Sequence, residues 1–256
     1  MKKGQKLWSR EELILAMNLY CKLPFGRLHS RTPDVIELAN LINRTPGSVA
    51  YKLVNFASLD PAQTERGIRG AKNVSILDRE IWEEFYNNWD RLPFESEKLL
   101  AKLQNVSVEA LNNILGDELP REGKERETFV KARVNQSFFR KTIMAAYDNS
   151  CCITGINQQE LLIASHIIPW SVDESNRMNP RNGLALNALH DKAFEAGLIT
   201  VMPDYRVRVS SRLLNHKGSD SVAYFAPYDG KPIISPKKFS PDPYFLAYHN
   251  TMRFIP

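Results

Sequence analysis

Residues 151–198 read CCITGINQQELLIASHIIPWSVDESNRMNPRNGLALNALHDKAFEAGL, and the order of elements in this stretch decides the fold. LLIASHII is an apolar, β-branched run, which predicts a strand. Pro, Asn, Asp and Ser crowd the segment from Pro169 to Arg181, the composition of a loop. NGLALN then alternates Leu184 and Leu186 with small or polar residues, as a half-buried strand does. Asn187 can cap a short helix over ALHDKAFEA, with Leu189 and Ala193 on one apolar face and Gly197 in the position that ends it. The expectation is strand, long loop, strand, short helix.

That order has a chemical consequence. His166 stands at the end of the first strand, and His190 is the third residue after the Asn187 cap. If the strands pair, the helix folds back across the hairpin and is expected to bring both imidazoles to one place. Asn182, at the start of the second strand, points into the same loop end. A lone His after an apolar strand is ordinarily a packed residue; the three-part spacing is what sets this one apart. Cys151 and Cys152 read as small buried hydrophobes. Asp191 and Glu195 are secondary ligand candidates, expected on the surface of an amphipathic helix.

ASHIIPW, RNGLAL and LHDKAF together resemble the His–Asn–His (HNH) nuclease motif, which is built on a ββα-metal finger. In that family the first His is the general base, the Asn orients or ligates, and the last His holds a divalent metal. The resemblance therefore implies catalytic roles for His166, Asn182 and His190. It also implies one Mg²⁺ or Mn²⁺ per site, held by His190 and Asn182. Ser165 occupies the position before the base, where family members often carry Asp or His as a metal ligand. Many members hold a structural zinc with two spaced Cys pairs; here only the adjacent Cys151 and Cys152 lie nearby, so no structural Zn²⁺ is expected. The chemistry suits the parts. A neutral imidazole, with an unperturbed pKa of about 6.5, can take a proton from water near neutrality. A divalent ion can stabilise charge on the scissile phosphate and its leaving oxygen.

Working outward, 256 residues can bury one large core or two modest ones. Hydrophobic residues at 43% and charged residues at 25% belong to a soluble globular chain rather than a disordered one. No apolar run approaches the roughly 20 residues a membrane helix needs, and MKKGQKLWSREE lacks the apolar core of a signal peptide. Three Cys make no disulfide framework and fit a reducing, cytoplasmic location. The net charge of +5 is a mild bias toward polyanions. Residues 126–256 carry 16 Lys/Arg against 11 Asp/Glu, so the excess sits with the motif.

The remainder divides into an expected helical DNA-binding domain over residues 1–90, a helical linker over 91–125 and a nuclease domain over 126–256. Ser9 and Glu12 form a capping box at the first helix. Residues 33–59 read as helix, NRTPG turn and a second helix capped by Ser48, a helix-turn-helix arrangement. Its exposed side is expected to show Tyr51, Lys52 and Asn55 to DNA. Arg69, in the basic loop ERGIRGAKNVS, is a candidate for backbone phosphates. So is Arg140, on the basic side of a long helix whose buried side takes Phe138, Ile143 and Tyr147. After Gly197 comes a hairpin turning at Asp204, then loops holding His216, then a terminal helix in which His249 packs. The expected fold class is α+β. The expected function is metal-dependent hydrolysis of double-stranded DNA by a restriction or defence endonuclease, acting as a homodimer. Two rivals stand beside it: a helix-turn-helix regulator with an inactive HNH scaffold, and an RNA-directed nuclease.

Overall fold

The computed structural model describes residues 6–68, 74–114, 119–120, 123–215 and 221–256. Arg69 and His216 lie outside the described residues. The fold is α+β, and the chain divides into two compact units, Met1–Thr142 and Ile143–Pro256.

The first unit is helical throughout its described residues. It holds α1 (Arg10–Lys22), α2 (Pro33–Leu41), α3 (Pro46–Leu59), α4 (Pro61–Glu65), α5 (Ile76–Tyr86), α6 (Leu92–Gln104) and α7 (Val108–Leu111). α8 (Lys124–Ala146) carries the chain into the second unit. Ser9 caps α1 with the expected capping box to Glu12. α1 packs on α2, α3, α5 and α6, and its Leu13, Ile14 and Met17 meet no solvent. The division between the two units falls inside α8. Residues 92–104, expected within a helical linker, form a helix that packs on α1, because Leu92, Ser96 and Ala101 give it a buried face.

The helix pair over 33–59 exists, but its second member does not present the side chains expected of a DNA reader. α3 is capped by Thr45, whose hydroxyl accepts from Ser48 N at 3.2 Å, so Ser48 lies inside the helix. α3 packs against α1, α2, α4 and α5. Lys52 and Asn55 consequently point inward. Lys52 Nζ donates to both Asp78 oxygens at 2.7 and 2.9 Å, and Asn55 Nδ2 donates to Oδ2 at 2.8 Å. An ammonium and a carboxylate buried together satisfy each other, which a lone buried charge cannot do. Only Tyr51 of the three is exposed.

The second unit is built on the hairpin of β1 (Leu162–His166) and β2 (Gly183–Asn187). The strands are antiparallel, with Ala164 opposite Ala185 and His166 opposite Gly183. α9 (Ala188–Glu195) follows directly and packs across both strands. A second hairpin pairs β3 (Ile199–Val201) with β4 (Val207–Val209). The short α10 (Ser211–Leu214) and α11 (Ser221–Phe225) come next, and α12 (Pro243–Met252) closes the chain. β2 is buried at all five positions rather than alternating. Its free edge is covered by Cys152, whose N donates to Ala185 O at 2.7 Å, and Cys151 and Cys152 are fully buried.

Candidate active site

Asn187 sets the position of α9. Its Oδ1 accepts from His190 N at 3.0 Å, and its Nδ2 donates to Thr154 Oγ1 at 3.1 Å, so the cap is held from both ends. Successive residues on a helix are turned about 100° from each other. His190 and Asp191 therefore leave α9 in different directions, and this decides the make-up of the site.

The direction facing β1 belongs to Asp191. A cavity of about 510 Å³ is lined by Ser165, His166, Trp170, Asp191, Glu195 and Arg253, among others. Asp191 is buried, not on the surface as expected, and the Ser165 hydroxyl hydrogen-bonds its carboxylate. Burial raises the Asp191 pKa; Glu195, one turn further on, pushes in the same direction, while Ser165 opposes. Spacing could have found this pair, since positions i and i+4 share a helix face.

His190 goes the other way. It lines a second cavity with Thr154, Leu161, Tyr224 and Tyr228. Its ring packs against Phe225 and Tyr228, with centroids 5.1 and 5.4 Å away. Nδ1 lies 3.1 Å from Asn187 Oδ1, and buried Nε2 has no hydrogen-bond partner. The expected meeting of His166 and His190 in one cavity does not occur. The lowered pKa of His190 comes from its burial.

His166, at the end of β1, is half-buried. Its Nε2 lies 2.9 Å from the main-chain oxygen of Arg177, and its ring meets the Trp170 edge-on at 5.6 Å. A carbonyl can only accept, so Nε2 carries the proton and Nδ1 the lone pair. Burial lowers the His166 pKa, against the opposing pull of the Arg177 carbonyl, so the ring is neutral at neutral pH.

Asn182 is fully buried and is not placed as an ion ligand. Its Oδ1 accepts from Ile168 N at 2.8 Å, while Nδ2 donates to Ile168 O and Asn176 O, each at 3.2 Å. With Ile167 N donating to Asn182 O at 3.0 Å, the side chain and backbone fasten both ends of the loop beside His166. Asn182 thus holds the path of the loop. Of the residues expected to touch nucleic acid, Arg140 is exposed on α8 and Tyr51 on α3.

The family model for HNH endonucleases matches residues 151–202. This segment is similar to HNH endonucleases. No curated protein matches the chain. The matched segment takes in the β1–β2 hairpin, α9 and β3. The HNH segment ends before α12, yet the cavity that holds its His166 is lined also by His249 and Arg253.

Among the described residues, no group of three or more His, Cys, Asp and Glu side chains is gathered tightly enough to hold a metal ion by itself. Two carboxylates do share the cavity, and Glu195 makes Asp191 harder to ionise. A hard divalent cation with oxygen ligands suits that pair, because it would relieve their repulsion. Water and phosphate oxygens commonly complete such a shell.

Proposed function

We propose that this protein is a metal-dependent endonuclease that hydrolyses phosphodiester bonds of double-stranded DNA, in a restriction or defence role. The observation that carries the reading is a neutral His166, its lone pair fixed on Nδ1, in one cavity with Asp191 and Glu195. In hydrolysis the water oxygen bonds to phosphorus and its proton passes to His166 Nδ1. The bond from phosphorus to the leaving sugar oxygen breaks, and that oxygen takes a proton from solvent. His166 keeps its orientation because Arg177 O holds Nε2 and Asn182 holds the adjoining loop. Asp191 and Glu195 would hold Mg²⁺ or Mn²⁺, with Ser165 steadying Asp191. The ion, when bound, stabilises negative charge at the phosphate.

DNA as substrate is favoured by the net charge of +5 and by the basic side of α8, which carries Lys131, Arg133, Arg140 and Lys141. Each chain carries one HNH segment, so a break in both strands calls for two chains on one duplex. The rival in which the N-terminal helices read DNA is weakened by α3, whose Lys52 and Asn55 are turned inward.

Plasmid cleavage with Mg²⁺, with Mn²⁺ and with chelator tests the reading directly. Wild-type protein is expected to cut only with an ion present, and Asp191→Asn is expected to lose ion-dependent cutting. Structured RNA is the competitor. RNA cleaved in preference to duplex would reassign the substrate, and no cleavage of either would remove the enzymatic reading.

A further inference from the structure

One wall of the catalytic cavity comes from outside the HNH segment. α12 and the residue that follows it, Arg253, are seated on the C-terminal end of α9. His249 Nε2 lies 3.2 Å from Phe194 O, and its ring stacks on the Phe194 ring at 3.7 Å and 10°. Arg253 Nη2 donates to Glu195 O at 3.0 Å, and Ile255 N donates to Gly197 O at 2.9 Å. Gly197 has φ +70°, and a Cβ there would sit 2.1 Å from the Arg253 carbonyl oxygen. The tight approach at Gly197 is what brings Arg253 to the cavity.

A cation at a helix C-terminus is often no more than a cap for exposed carbonyls. Here the capping role occupies one of the five N–H groups a guanidinium carries. The same side chain lines the cavity with His166, Asp191 and Glu195. Glu195 pairs with Lys192, at 3.3 Å, and not with Arg253. An anchored guanidinium beside a general base and two carboxylates has the shape and charge to take a phosphate by its planar fork.

We propose that Arg253 is a substrate-binding catalytic residue of this site, donating to a non-bridging oxygen of the scissile phosphodiester. The proposal rests on the nuclease reading. Charge builds on those oxygens as water adds, so the contact strengthens toward the transition state and acts more on kcat than on KM. Because Glu195 O already orients the side chain, little reorganisation accompanies the reaction.

The test compares full-length wild type, Arg253→Ala and Arg253→Lys in Mn²⁺-dependent cleavage of a short duplex, with thermal unfolding measured alongside. Arg253→Ala should lower kcat about ten- to a hundredfold, the scale of one charge-assisted hydrogen bond, with KM moving less. Free guanidinium ion added to Arg253→Ala should restore part of the rate, which a purely capping role would not allow. A kcat within about twofold of wild type, or a loss that guanidinium leaves untouched, overturns the proposal. Should Arg253→Ala fail to fold, Arg253→Lys decides, since it keeps the charge but not the fork: several-fold slower supports the proposal, wild-type rate removes it. Duplex affinity on His166→Ala protein, with and without Arg253→Lys, separates the two levels. Wild type that binds but never cuts defeats the nuclease reading. An affinity that falls with Arg253→Lys by as much as kcat does would place the contact in the ground state and overturn the transition-state role.

Discussion

At the scale of single residues, His166 and His249 give opposite uses of a depressed imidazole pKa. For His166, neutrality is the state the proposed general base needs. His166→Ala is expected to lower the cleavage rate about 10²- to 10⁴-fold, the range of a positioned general base, with the thermal transition nearly unmoved. The wild-type rate should rise with pH through a value below 6.5 and stay level above it, because burial keeps the ring neutral. An acid limb centred above 6.5 would contradict the assignment. For His249 the consequence is stability. Its folded pKa is lowered to about 4, since the ring is buried between Thr200 Oγ1 and Phe194 O. Between 6.5 and about 4 the unfolded chain binds the proton and the folded chain does not, so stability falls with pH across that window. The loss amounts to roughly 3 kcal/mol below it. Urea titrations from pH 7 to 4 should show a shallower slope in His249→Gln, and identical slopes would reject this account. The motif singled out His166, which lines the cavity, and Asn182, which fastens the loop beside it. It pointed one residue short of Asp191, because a one-residue step on a helix changes the face, and only the Asn187 cap fixes which face meets β1.

Elements were legible where periodicity was strong. The capping box of α1, the β1–β2 hairpin and the Asn187 cap of α9 could all be read from local chemistry. What escaped was tertiary. α6 has the composition of a linker, yet it packs on α1; α3 has the face of a DNA reader, yet Asp78 draws Lys52 and Asn55 inward. Sequence shows the charges but not the buried partner 26 residues away. Asp78→Ala should destabilise the first unit by about 3–5 kcal/mol, because it leaves the Lys52 ammonium buried alone. Asp78→Ala unfolding at the same urea midpoint as wild type would show the pair to be dispensable. Gly197→Ala should cost about 2 kcal/mol or more, the positive φ and the clash with Arg253 O adding together. Thermal unfolding measures it, and a wild-type midpoint would mean that α12 can shift aside freely.

On the scale of the whole molecule, charge and stoichiometry matter more than any one bond. With one HNH segment per chain, linear plasmid should appear more steeply with protein concentration than nicked circles do. Linear product formed in first order, without nicked intermediate, would show that one chain cuts both strands. Among the described residues, no helix is long and apolar enough to cross a membrane. The α+β class could be read from the alternation of patterns along the chain, whereas the division within α8 could not. A continuous helix gives no compositional break at residue 142.

The acceptor that holds His166 is a main-chain oxygen, and that choice governs how the site can drift over generations. The Arg177 side chain can change without altering the carbonyl that meets Nε2. The tautomer of the base is thus inherited through the path of the backbone, not through the identity of any residue at position 177. Asn182, whose carboxamide grips Ile168 and Asn176, keeps that path. The loop between can therefore exchange its side chains while the proton stays on the same nitrogen, provided the Asn182 carboxamide still closes it.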